Sequence, residues 1–153
     1  MNGTKNLCIG FSPFGTLIAG LQLLPNIIWA LFPPAINTLE GNASSNLFIE
    51  YGEHVLGVSI VILLVFLVNK TQKKFTVKSV PVCVCFTAIG FYWLCWILYF
   101  CAVQPLPLIF AMVVLPPIAF FCAGIAKKVY LISVVSTVFL IFHITVATEN
   151  FIM

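Results

Sequence analysis

Charge is what this sequence has least of. Only 7% of its 153 residues are charged, arginine and aspartate are absent, and seven lysines stand against four glutamates. A soluble domain carries roughly 25% charged residues, so a water-facing surface cannot be covered with what is here. No C-x-x-C pair occurs, which removes a redox dithiol and with it a membrane reductase of the vitamin K epoxide reductase type. No H-E-x-x-H, G-x-S-x-G, Walker-type glycine loop or kinase motif occurs either. A nucleotide site would in any case find no room outside the apolar segments. No basic stripe interleaved with aromatics stands outside them, so a nucleic-acid partner is excluded.

What is present is hydrocarbon. Residues of the apolar set make up 62% of the chain. They fall into five runs, at about 7–31, 51–68, 80–103, 106–126 and 129–148. A helix of about 20 apolar residues crosses a bilayer, and helices are required because lipid cannot satisfy open backbone groups. Runs such as Val58 to Val68 do not alternate, which argues against a membrane barrel. The expectation is a single all-α membrane domain over 1–153, a bundle of five transmembrane helices. The first run is longer than a signal-peptide core and is followed by no convincing cleavage site, so it reads as a retained helix.

Orientation follows from the lysines, because positive loops stay in the cytoplasm. Lys70, Lys73, Lys74 and Lys78 fill the link between the second and third helices. Lys127 and Lys128 separate the fourth and fifth, and Lys5 precedes the first. Five crossings put all seven on one side and Glu40, Glu50, Glu53 and Glu149 on the other. The expected topology has the N-terminus inside and the C-terminus outside, with the long link after Phe32 external. Asn42-Ala43-Ser44 in that link fits a glycosylation pattern, which has meaning only in a eukaryotic secretory setting.

Ionisable groups within a span are costly and so are candidate functional residues. They gather toward the external side. Glu50, Glu53 and His54 open the second helix at i, i+3 and i+4, on one face. His143 lies near the outer end of the fifth helix, between Phe142 and Ile144, with Glu149 expected just past that end. Gln22 and Asn26 flank Pro25, which frees a backbone carbonyl in the first helix. The site reading is an outward-facing polar cavity lined by Gln22, Asn26, Glu50, Glu53, His54 and His143. Glu50, Glu53, His54 and His143 could ligate a divalent cation, or a Glu and a His could pass a proton. The plainer reading is that Glu50, Glu53 and His54 only mark the water boundary. No other cofactor is expected.

The remaining motifs favour packing over chemistry. Cys8, Cys83, Cys85 and Cys122 fall near the inner side, where a free thiol behaves as a small hydrophobe. Trp96 and Tyr99 are placed for an outer interfacial belt. Pro116-Pro117 breaks the middle of the fourth helix.

The run Leu24-Pro-Asn-Ile-Ile-Trp-Ala-Leu-Phe-Pro-Pro34, followed by a second helix bearing Glu50, Glu53 and Gly57, resembles a group of uncharacterised small polytopic membrane proteins of low-GC Gram-positive bacteria. Those also carry a His in the last helix, matching His143. The resemblance implies no activity. It implies a bacterial cytoplasmic membrane location and groups Asn26, Glu53 and His143 in one shared feature.

Three functional readings stand. The first is a non-enzymatic accessory or interaction subunit whose partners are the lipid bilayer, other membrane-protein helices or a second copy. The second is a small oligomeric permease or channel with an outward-facing cation or proton site. The third is a membrane-embedded enzyme using a Glu/His pair. The last two need Glu53 and His143 within reach of one bridging ion or water.

Overall fold

The computed structural model describes residues 6–70 and 78–152. Lys5, Lys73 and Lys74, which contribute to the charge sorting, lie outside the described residues. The elements in chain order are β1 (Leu7–Ile9), α1 (Pro13–Leu31), α2 (Leu47–Phe66), β2 (Leu67–Asn69), α3 (Val80–Phe100), α4 (Leu106–Ala126) and α5 (Tyr130–Phe151). All five helices are long and apolar enough to cross a membrane.

The fourth helix has the expected bounds, and the others differ at their ends for local reasons. Helix α1 starts at Pro13, not Leu7. Ser12 caps it, its Oγ accepting from Gly15 N at 3.1 Å, and proline fits the first helical position because its missing N–H would be unpaired there anyway. The freed segment Leu7–Ile9 instead pairs antiparallel with Leu67–Asn69, so a two-stranded ribbon accompanies the helical bundle. Helix α2 starts at Leu47 because Asn46 caps it through Phe48 N, 2.9 Å away. Helix α5 runs on to Phe151, so Glu149 lies in its last turn and His143 about two turns from its end.

Two hairpins build the heart of the bundle. After α3, Ala102 takes a positive φ of 63°, with Ala102 N donating to Tyr99 O and Val103 N to Leu98 O. After α4, Lys128 does the same at 53°, with Lys128 N donating to Ile125 O and Val129 N to Gly124 O. Both are Schellman caps, closing the last carbonyls of one helix and reversing the chain. Helix α4 therefore packs against both α3 and α5, with α1 and α2 laid across them. Its Pro116 and Pro117 do not break it: the helix is continuous through both, and each is buried against its neighbours.

The two ends of the bundle differ. At the lysine end the last carbonyls of α2 are closed one by one. Leu63 O accepts from Leu67 N, Leu64 O from the buried Lys127 Nζ, Val65 O from Ser12 N and Phe66 O from Gly10 N. Gly15 makes this possible, since a Cβ there would stand 1.8 Å from Leu64 O. Ile18, Ile60, Leu64, Cys85, Ala123 and Ile132 fill the space behind.

At the carboxylate end a second cluster of Tyr92, Trp96, Tyr99, Ile109 and Met112 lies under the long link. The belt expected of Trp96 and Tyr99 does not form, for they are only 4% and 0% exposed. The reason is Asn37. Its Oδ1 accepts from Tyr99 OH at 2.7 Å and from Trp29 Nε1 at 2.8 Å, and Leu39 N donates back to Tyr99 OH at 3.0 Å. The link thus folds over the aromatics as a lid and takes the polar atoms of Tyr99 and Trp29.

Candidate functional site

The centre of the site is a contact between α2 and α5. His143 Nδ1 donates to Glu53 Oε1 at 2.5 Å, and both side chains are largely covered. The His143 ring stacks on Phe139 one turn away, with centroids 4.9 Å apart and planes at 20°. Gly52 brings the helices close enough, because a Cβ there would meet the Phe142 ring at 2.4 Å. A small residue beside Glu53 is therefore what lets α5 present His143 to it.

Helix α1 supplies the other wall. Pro25 removes the donor that would serve Leu21 O, and Trp93 Nε1 of α3 takes that carbonyl at 2.9 Å. This clamp holds α1 against α3 next to Asn26. Asn26 Nδ2 then donates to Tyr92 OH at 2.8 Å and to Gln22 O at 2.9 Å. Gln22 itself is 2% exposed, and neither its Oε1 nor its Nε2 has a partner.

These residues line two chambers of about 300 Å³ each. The first lies within the helices, between α1 and α2, and is walled by Gln22, Gly57, Val61, Phe120 and Phe139 among others. The second lies nearer the carboxylate end, where Leu39 and Asn42 of the link, Glu53, His54 and Trp96 contribute. Asn26, Tyr92 and His143 belong to both linings. His143 thus lines both chambers, and its partner Glu53 lines the second. Met112 and Val113 also line the second chamber, and their carbonyls are those that Pro116 and Pro117 deprive of a ladder donor.

Of the six residues expected in one cavity, five line these chambers: Gln22, Asn26, Glu53, His54 and His143. Glu50 does not. Its Oε2 accepts from Ser44 N at 2.7 Å, while Ser44 Oγ donates to Glu149 Oε2 at 2.6 Å, so both carboxylates fasten the link. The shared face of Glu50, Glu53 and His54 divides accordingly. Glu53 turns toward α5, and exposed His54 donates from Nδ1 to Glu50 O at 2.8 Å. Among the described residues no three His, Cys, Asp or Glu side chains gather as metal ligands, and the six cysteines are all free thiols.

Sequence reading missed Tyr92, Trp93 and Gly52. Tyr92 and Trp93 stand among apolar residues and read as packing. Only the proline in α1 signals that a donor from another helix must arrive to serve the freed carbonyl. The chain matches no family model, no curated protein and no solved structure, so geometry alone carries the functional reading.

Proposed function

We propose that this chain is a non-enzymatic, permease-type binding protein of the membrane, holding a small ligand at an outward-facing site with the Glu53–His143 pair as its protonatable gate. One observation carries the reading: His143, which lines both chambers, is hydrogen-bonded to Glu53 in the wall of the second. A contact that served only to tie α2 to α5 would have no need of a cavity beside it. The lysines assign the carboxylate end to the outside, so the second chamber is the vestibule and the first the inner chamber.

The pair also favours a proton over a metal as the linked ion. Glu53 and His143 would give a divalent cation two protein ligands, fewer than the three or four usual for zinc. A proton needs only the pair itself, whose charge it changes. Charging or neutralising a half-buried pair changes what the neighbouring chamber will solvate.

The test uses the proton as probe. Infrared difference spectra of the lipid-reconstituted protein between acidic and neutral pH should contain a carboxylate-to-carboxyl change that Glu53→Gln removes and His143→Gln shifts. Identical spectra in wild type and Glu53→Gln would mean that bulk protons never reach Glu53, and the site reading would fail.

A further inference from the structure

Resting on that reading, we infer that the inner chamber takes an amphipath from the bilayer itself: a molecule with a hydrocarbon tail and an uncharged head that both donates and accepts hydrogen bonds. The inference starts from Gln22. An amide buried to 2% exposure with neither its oxygen nor its nitrogen paired costs free energy that a core position would avoid with leucine. Gln22 sits near the middle of α1, and it lines the inner chamber. A ligand group that offers one donor and one acceptor would satisfy both ends of the amide at once.

The walls and the mouth describe the rest of the molecule. Leu23, Val58, Val61, Ile62, Phe120 and Phe139 are apolar and suit a hydrocarbon chain. Three of them also lie on the outer surface of their helices: Leu23 is 40% exposed, Val58 61% and Ile62 52%. In a chain whose helices cross a membrane, those positions face lipid. The chamber therefore opens sideways between α1 and α2 as well as toward the pair. Its volume of about 300 Å³ lies at the lower end of small-molecule pockets, which run from about 300 to 1,000 Å³. It holds a head and part of a tail, leaving the rest of the tail in the bilayer.

A charged head is disfavoured in the inner chamber. Glu53 and His143 already occupy each other, and Gln22 offers no net charge to offset a phosphate or an ammonium. The fitting class is an uncharged lipid with a hydroxyl or amide head, such as a monoacylglycerol.

The test is direct. Purified full-length protein is titrated with radiolabelled 1-monoacylglycerol, and in parallel with lysophosphatidylcholine and with glycerol. Wild type should bind the monoacylglycerol saturably, one per chain. Lysophosphatidylcholine should bind at least tenfold more weakly, and glycerol not at all. Gln22→Leu should weaken binding about tenfold, the loss expected of a buried hydrogen bond, while raising the thermal stability of the empty protein. That opposite movement separates a ligand-facing amide from a structural one. Val58→Trp, at a position 61% exposed and with its fold checked by thermal melting, should block the mouth and abolish binding.

Binding that is equal in wild type, Gln22→Leu and Val58→Trp would overturn the proposal, as would tighter binding of the charged lipid. If the monoacylglycerol fails to bind while the Glu53 infrared change persists, the ligand class is wrong and the gate stands. If the infrared change is absent too, the binding-protein reading falls with it.

Discussion

The two ends of this bundle solve opposite problems. At the lysine end α2 finishes with its last carbonyls taken by Leu67 N, Lys127 Nζ, Ser12 N and Gly10 N. From the middle of the bundle toward the carboxylate end Gln22 has no partner, two prolines leave ladder carbonyls beside a chamber, and the ionisable pair Glu53–His143 lines the outer cavity. Backbone left open in lipid costs several kcal/mol per group, so the closed end is where the fold is held. The hollow end tolerates what the closed end excludes, and polar atoms left unpaired in a native fold are associated with function. The closed backbone and the proposed binding site thus lie in different parts of the bundle.

The sharpest way to break this contrast is at Gly15. Gly15→Ala would place a Cβ 1.8 Å from Leu64 O, which is backbone and cannot step aside. Helix α1 would be driven off α2, with a loss of about 3 kcal/mol or more, read as unfolding in mixed micelles. At the inner chamber, Gln22→Leu, which replaces an unpaired amide by hydrocarbon of similar volume, is expected to stabilise. The two substitutions therefore have opposite signs, one through a backbone clash and the other through removal of an unpaired amide.

Tyr99→Phe tests the lid over the hollow end. It removes the donor to Asn37 Oδ1 and the acceptor of Leu39 N, both under the link. Trp29 Nε1 still holds Asn37, so the loss should be about 1–3 kcal/mol. Protease sensitivity of the link between α1 and α2 should rise with it, while the lysine end stays protected.

The smallest effect is at Lys127, and it carries a pH dependence. Burial pushes its ammonium from 10.5 down to about 8. The folded chain then releases this proton at a lower pH than the unfolded chain does. Between about 8 and 10.5 the unfolded state binds more protons, so stability rises with pH across that window and is flat below it. Lys127→Met leaves Leu64 O without its donor, at a cost of about 1 kcal/mol near neutral pH, partly offset because a desolvated charge is removed. The variant should lack the rise above pH 8. Denaturation curves at pH 7 and pH 10 for both proteins check it.

Much of the fold could be read from residue order, because the bilayer imposes helix length and the fourth run coincides with α4 residue for residue. The ends of the other helices could not, since caps decide them. Ser12 before Pro13 is a capping sequence, yet an apolar run that continues through Leu7 hides it. The ribbon of β1 and β2 was illegible because each strand has three residues and neither alternates over a readable length. At the site, Glu53 and His143 were legible as costly residues in apolar surroundings. Glu50 misled, because i and i+3 share a face of the helix but not a partner: Ser44 sits near one and α5 near the other. Tyr92 and Gly52 gave no local signal, since their roles depend on what arrives from elsewhere in the chain.

The central claim is that α2 and α5 meet through Glu53 and His143 at the mouth of an intramembrane chamber. Solid-state NMR of the lipid-reconstituted protein, with a dipolar distance measured between the His143 ring nitrogen and the Glu53 carboxyl carbon, addresses it most directly. The account predicts a hydrogen-bonded contact, consistent with the 2.5 Å separation of Nδ1 and Oε1, together with magnetisation transfer from water to the pair. Absence of dipolar coupling between the two side chains would contradict it.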